Sequence, residues 1–164
     1  MVSFNWWVIF VTALIPLITG SIWYSKALFY KTLKSLDNRQ EDLKHSPWIF
    51  LITYVLGILL AFGLVPVTIH QFHIMSVFQN DPSAQQPGSE IYEYIKDFMT
   101  RYGSNFRTFK HGAFHGTLSG IFIGLPIIAI TSMFEGKGFK YIAIHAGYWI
   151  LNLALMGGMI CQFI

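Results

Sequence analysis

The sequence has few charged residues, and none of them lies in four long stretches. Lys, Arg, Asp and Glu make up 12% of the 164 residues, against about 25% in a typical soluble domain. The stretches that lack all of these residue types run from Met1 to Ser25, His45 to Asn80, Gly112 to Phe134 and Tyr141 to Ile164. A helix crosses the bilayer core with about 20 mainly apolar residues, and each stretch is long enough. A soluble bundle of such helices would have almost no polar face, so the pattern predicts a membrane protein.

Other absences argue against several classes of function. The single cysteine, Cys161, cannot form a disulfide within the chain. The sequence has no Gly-rich phosphate loop, no HExxH zinc motif and no GxSxG nucleophile elbow. Ion-coupled carriers need an ionisable group inside the membrane, and the charge-free stretches hold no Asp, Glu, Lys or Arg. A driven transporter is therefore disfavoured, and nothing indicates binding to nucleic acid.

The charge-free stretches predict an all-α fold, an integral membrane four-helix bundle that forms a single transmembrane domain over residues 1–164. The predicted spans are residues 5–25, 47–70, 112–134 and 141–163, and residues 71–110 form an extramembrane loop. Ser46 and Pro47 mark the start of the second span. Apolar residues at helical spacing from Ile91 to Tyr102 predict a short amphipathic helix in the loop, capped by Ser89.

The loops on the two sides of the predicted bundle differ in their number of basic residues. If the spans alternate in direction, one side holds seven: Lys26, Lys31, Lys34, Arg39, Lys44, Lys137 and Lys140. The other side holds four: Lys96, Arg101, Arg107 and Lys110. Because loops rich in Lys and Arg remain in the cytoplasm, the difference predicts that both termini lie on the non-cytoplasmic side.

The third span carries a stripe of small residues before Pro126. Its members recur every four residues, and they are Gly112, Gly116, Gly120 and Gly124. Such stripes let two helix backbones approach closely in lipid. The fourth span offers complementary small positions, Ala143 with Gly147 and Ala154 with Gly158. The stripe therefore serves a contact within the chain or, alternatively, a contact between subunits.

Histidines are the residues that favour a chemical site. His70 and His73 close the predicted second span, and His111 and His115 open the third, so alternation of the spans brings the two pairs to one side of the membrane. Spacings of three and four residues place each pair on one helix face, where neutral imidazoles can ligate Zn²⁺, Cu²⁺ or haem iron. The alternatives are a hydrogen-bonded structural role and a response to pH.

Two further polar residues lie within the predicted fourth span, His145 and Asn152. A polar side chain near the middle of the membrane needs a partner across a helix interface. Interhelical hydrogen bonds are therefore the expected role of both residues.

Three segments resemble a known family: GSIWYSKALF at 20–29, FKHGAFHG at 109–116 and GYWILNLALMGG at 147–158. In their order and spacing, the chain resembles the domain of unknown function 1761 family of small four-helix membrane proteins, over nearly its whole length. The resemblance implies four spans and a bacterial inner-membrane location. It implies no activity, cofactor or catalytic residue.

The function favoured by these features is non-enzymatic, that of a scaffold or accessory membrane subunit. Four helices enclose little volume, and stripes of small residues serve association. The expected partners are the lipid bilayer and either further copies of the chain or another membrane protein. A second hypothesis is an oligomeric pathway for ions or small molecules, lined by His145 and Asn152. A third is a membrane enzyme that uses a metal or haem held by His70, His73, His111 and His115, although no cofactor is required by the sequence.

Overall fold

The computed structural model describes residues 4–36 and 46–164, and all regular structure in these ranges is helical. Four helical segments are long and apolar enough to cross a membrane. They are Trp6–Trp23, Pro47–Thr68, Phe109–Phe134 and Phe139–Phe163, and they are called spans 1 to 4 below. The prediction of an all-helical chain with four such helices is therefore confirmed. Arg39 and Lys44, which entered the count of loop charges, lie outside the described residues.

Spans 1 and 3 are each built from two α-helices, whereas spans 2 and 4 are continuous. Span 1 consists of α1 (Trp6–Thr12) and α2 (Ile15–Trp23), and α3 (Tyr30–Leu36) follows it. Span 2 is α4 (Pro47–Thr68). The loop holds α5 (Gln71–Val77), a 3₁₀ turn (Pro82–Gln85) and α6 (Glu90–Tyr102). Span 3 consists of α7 (Phe109–Ser119), a π-helical turn (Gly120–Gly124) and α8 (Leu125–Phe134), and span 4 is α9 (Phe139–Phe163).

Proline explains the interruption of spans 1 and 3. Pro16 has no N–H for the carbonyl four residues earlier, and the chain turns at Ala13 and Leu14 between α1 and α2. Pro126 likewise has no N–H for the carbonyl of residue 122, and the π-helical turn covers that position. Pro66, by contrast, lies inside α4, which continues to Thr68.

Spans 1, 2 and 4 share a buried apolar core at the end of the bundle that also holds Asn5 and Phe163. Its members come from α1, α4 and α9 and from the residues directly after α4 and α9, and they are Val8, Ile9, Ala61, Leu64, Val65, Ile69, Met156, Ile160 and Ile164. Asn5 Nδ2 donates to the carbonyl of Phe163 over 2.8 Å, so the two ends of the described chain meet. The outer faces remain apolar, for example at Trp48 and Leu59 of span 2, as expected of helices surrounded by lipid.

Span 3 packs against span 4 through the glycine stripe. The α-carbon of Gly112 lies against the carbonyl of Gly157, and that of Gly116 lies against the carbonyl of Leu153. At Gly120, an added Cβ would come within 2.7 Å of the Ile150 α-carbon. Side chains at these positions would separate the two backbones, so only glycine allows this contact.

The remaining predicted small positions have other neighbours. An added Cβ at Gly124 would meet only ordinary contacts at 4.0 Å, so the close approach ends before the π-helical turn does. Gly147 faces the ring of Trp23 in span 1, and Gly158 faces the ring of Phe109 in span 3. Gly157, which was not among the predicted small positions, packs against Gly112 at the N-terminal end of the stripe.

The loop helix forms as the sequence predicts. Ser89 caps α6, because its Oγ accepts a hydrogen bond from the N–H of Tyr92 over 3.1 Å. Asp97 and Arg101 form an exposed pair at 2.9 Å, one helical turn apart. The start of span 2 differs in detail, since Ser46 occupies the N-cap position but its side chain makes no capping hydrogen bond.

Candidate metal centre

Three of the predicted histidines converge where spans 2 and 3 meet. His70 Nε2 lies 3.0 Å from His111 Nε2 and 3.2 Å from His115 Nε2. The ligand atoms of the three residues all lie within 4.8 Å of one another. The three rings meet edge to face, with planes inclined by 64 to 81°.

His70 reaches this position because span 2 ends two residues before it. Ile69 has an extended backbone, with φ −114° and ψ 95°, and so it ends α4. His70 then occupies the N-cap of α5, at the corner between the two helices. The prediction that His70 and His73 close the second span is therefore wrong in this detail, because the helix that holds His73 is α5 and not α4.

His111 and His115 owe their orientation to the glycines beside them. Successive residues in an α-helix are rotated by about 100°, so each histidine lies a quarter turn away from the glycine that follows it. Because Gly112 and Gly116 face span 4, the adjacent strip of α7 faces the end of span 2, where His70 lies. Thr108 fixes the start of α7, since its Oγ1 accepts a hydrogen bond from the N–H of His111 over 3.3 Å.

The segment before α7 is held against the bundle from two sides. Gln71 Nε2 donates to the carbonyls of Tyr102 and Asn105, over 3.0 and 2.8 Å. From span 4, Cys161 Sγ donates to the carbonyl of Phe106 over 3.3 Å. Arg107 Nε donates back to the carbonyl of Cys161 over 3.0 Å. Cys161 is therefore a buried packing and hydrogen-bonding residue, and it is absent from the histidine group.

Phe106 has the one left-handed backbone among the non-glycine residues that the structure describes, with φ 60°. This conformation is uncommon outside Gly, Asn and Asp, and it costs about 1 kcal/mol or more. The ring of Phe106 lies against that of His111, with centroids 5.2 Å apart and planes inclined by 30°. The segment before α7 thus places an aromatic ring beside the histidines, a feature that no sequence signal indicated.

The group is open to the surface on one side. His70 is exposed, whereas His111 and His115 are half-buried, and no Asp, Glu or Cys belongs to the group within the ranges described. Burial lowers the pKa of the nearby Arg107 guanidinium below its ordinary value, but arginine begins so high that it stays charged. The surroundings are therefore neutral to positive.

Hydrogen bonds alone do not account for this geometry. An imidazole nitrogen carries either one hydrogen or one lone pair in the ring plane, so it makes one good hydrogen bond. His70 Nε2 has two Nε2 neighbours within hydrogen-bonding distance, at 3.0 and 3.2 Å. In a tetrahedral metal site with bonds of about 2.0 to 2.1 Å, neighbouring ligand atoms lie about 3.3 Å apart. The two distances from His70 Nε2 are close to this value, so one metal ion at this point could take all three imidazoles as ligands.

His73 stands apart from this group. It is exposed on α5, and its ring nitrogens are not among the ligand atoms that converge. Its carbonyl accepts a hydrogen bond from Ser76 Oγ over 2.8 Å. His73 is consequently a control residue, of the same type and in the same loop.

The polar residues of span 4 bond to span 1 and to Tyr24, the residue directly after it. Asn152 is wholly buried, and its Oδ1 accepts a hydrogen bond from Thr19 Oγ1 over 2.6 Å. Tyr148 Oη donates to the carbonyl of Pro16 over 2.7 Å, beside the interruption of span 1. At the far end of the bundle, His145 Nδ1 lies 3.0 Å from Tyr24 Oη. The interhelical bonding expected of His145 and Asn152 is present.

Replacing Asn152 with leucine is expected to lower the free energy of unfolding by about 1 kcal/mol, since one hydrogen bond between helices is lost in lipid. Unfolding in mixed micelles of maltoside and SDS measures the change. In a double-mutant cycle with Thr19→Val, the two changes should be less than additive, because each removes the same bond. Strictly additive changes would contradict the bond.

No curated protein and no solved structure matches the chain. The model of one family, described as "Protein of unknown function (DUF1761)", matches residues 7–161. This range includes spans 2 and 3 in full, span 1 without its first residue, and span 4 without its last two residues. The chain therefore belongs to the DUF1761 family.

Proposed function

We propose that the protein is an integral membrane protein that binds one divalent transition-metal ion through His70, His111 and His115. The observation that carries the proposal is the position of His70 Nε2, which has two imidazole Nε2 neighbours, at 3.0 and 3.2 Å. A ring nitrogen makes one hydrogen bond, whereas a metal ion draws three nitrogens to one point. Metal binding therefore explains a contact that hydrogen bonding leaves half-satisfied.

The ligand type limits which metal the site would take. Imidazole nitrogens suit Zn²⁺, Cu²⁺, Ni²⁺ and iron, whereas Mg²⁺ and Ca²⁺ prefer oxygen ligands. No carboxylate belongs to the group in residues 4–36 and 46–164. Zn²⁺ and its spectroscopic substitute Co²⁺ are therefore the ions with which to test the site.

The setting we propose is a bacterial inner membrane, with the metal site at the non-cytoplasmic surface. The side is supported by the excess of basic residues in the loops at the opposite end of the bundle. His70 follows the end of span 2 and His111 lies in the first turn of span 3, so the site lies at headgroup depth. On this side the site would meet metal ions of the extracytoplasmic space.

We expect the protein, purified in maltoside and dialysed against Zn²⁺, to retain about one metal ion per chain. His115→Ala should lose most of it, because two imidazoles bind a metal ion much more weakly than three. His73→Ala should retain the wild-type amount, since His73 lies outside the group. Plasma emission spectrometry of protein and metal together gives the ratio.

Two results of the metal measurement would contradict the proposed site. Wild-type protein without stoichiometric metal would overturn the proposal. Equal loss in His73→Ala and His115→Ala would contradict a site made of His70, His111 and His115, because His73 lies outside that group. Circular dichroism of both variants separates loss of a ligand from loss of the fold.

The scaffold and pathway hypotheses stay predictions. The small-residue stripe that favoured association packs within the chain at Gly112, Gly116 and Gly120, so a subunit contact would need a different surface. The pathway hypothesis relies on Asn152, which bonds to span 1, and on His145, which bonds to Tyr24 directly after span 1. A catalytic role and the binding of haem at the histidines are likewise untested predictions.

A further inference from the structure

The proposed metal site has a coordination position that no side chain of the histidine group fills. The group supplies three nitrogen donors, and a four-coordinate ion takes one ligand more. Closed structural sites use four protein ligands, whereas sites with three leave a position for water or an added ligand. His70 is exposed, so a ligand can reach the group from the surface.

Charge determines which class of ligand this position favours. Neutral imidazoles leave the charge of a divalent ion uncompensated, and the ion is then the largest local charge. Within the described part of the chain, no Asp or Glu joins the group. The basic residues Arg107 and Lys110 lie in the segment that leads into His111. The electrostatic setting therefore favours an anion over a neutral ligand.

Aromatic side chains beside the site indicate where the anion comes from. Phe106 lies against His111 and is 67% exposed, and Phe114 lies against His115 and is 58% exposed. The centroids of the second pair are 5.5 Å apart. At the end of two membrane spans, exposed aromatic rings lie where headgroups meet acyl chains. A cationic centre beside such rings matches a phospholipid, which joins a phosphate to apolar chains.

We propose that the fourth position of the metal takes a phosphate oxygen, supplied by an anionic phospholipid headgroup. The inference rests on the proposed metal site and names its external ligand. The phosphate oxygen bonds to the metal, the flanking phenyl rings contact the upper acyl chains, and the bound lipid is held at the junction of spans 2 and 3. No covalent bond of the lipid breaks in this step.

Cobalt-loaded protein in neutral maltoside micelles tests the inference, because the visible absorption of Co²⁺ depends on its ligands. One arm adds inorganic phosphate, and the other adds phosphatidic acid with short acyl chains. Sodium perchlorate at equal ionic strength is the control for salt. We expect a saturable shift of the visible band with phosphatidic acid, at a lower concentration than inorganic phosphate requires, and no shift with perchlorate.

The outcomes separate this inference from the metal site itself. A shift at equal concentrations of phosphate and phosphatidic acid would support the phosphate ligand and overturn the lipid as its source. A cobalt spectrum that neither compound changes would overturn the inference and leave the metal site standing. Absence of a cobalt spectrum would overturn the metal site, and this inference with it. His73→Ala, outside the site, should respond as the wild type does.

Discussion

Replacing Gly116 with alanine is expected to lower the free energy of unfolding by about 3 kcal/mol, at the upper end of what overpacking costs. The added Cβ would overlap the carbonyl and the α-carbon region of residues 153 and 154 in span 4. These are backbone atoms, so the clash is relieved only if two helices move apart. Alanine favours a helix over glycine by about 1 kcal/mol, which offsets part of the loss. Unfolding by SDS in mixed micelles, followed by circular dichroism, measures the difference.

Gly63→Ala is the matched control for this experiment. Gly63 lies in α4, and an added Cβ there meets nothing within 4 Å. Its replacement should leave the protein as stable as the wild type, or more stable by up to about 1 kcal/mol. If Gly116→Ala behaved in the same way, the close contact of spans 3 and 4 would be disproved.

The same clash should also disturb the histidine group. Gly116 is the residue after His115, and the approach of α7 to span 4 turns the histidines toward His70. A displaced α7 would carry two of the three imidazoles with it. Stability and metal binding should therefore fall together in Gly116→Ala, whereas His115→Ala should lose metal without this loss of packing.

The helical spans could be predicted from sequence because their signal is local. A run of about 20 residues without charge needs no knowledge of its neighbours to be assigned to a membrane. The capped helix that begins after Ser89 is local in the same way, since its cap and apolar spacing lie within one segment. The spacing of small residues predicted a close helix contact at Gly112 and Gly116, but it left open whether that contact lies within the chain or between subunits.

Features that depend on contacts between distant parts of the chain could not be predicted from sequence. The spacing of His70 and His73 is that of a helix, but the extended backbone of Ile69 ends α4 before either of them. Ile69 belongs to the core of spans 1, 2 and 4, a contact that no local pattern indicates. The left-handed backbone of Phe106 likewise depends on a segment held from α5 and span 4.

Binding of Zn²⁺ is expected to raise the free energy of unfolding by about 4 kcal/mol when free Zn²⁺ is 1,000 times its dissociation constant. The reason is that the ligands come from separate elements. His70 follows span 2, and His111 and His115 belong to span 3, so unfolding must break the metal bonds. Span 2 already contacts span 3, though less extensively than it contacts span 4, and the metal would strengthen the weaker of these two contacts. SDS unfolding with buffered Zn²⁺, followed by tryptophan fluorescence, measures the increase.

The dependence on individual histidines distinguishes this linkage from general effects of the ion. His70→Ala removes the ligand that span 2 contributes, and its stability should then change little with Zn²⁺. His73→Ala keeps all converging ligand atoms and should gain as much stability as the wild type. An equal gain in His70→Ala would mean that Zn²⁺ acts at another place on the protein. Because the gain follows the ratio of Zn²⁺ to its dissociation constant, a tenfold lower concentration should reduce it by about 1.4 kcal/mol.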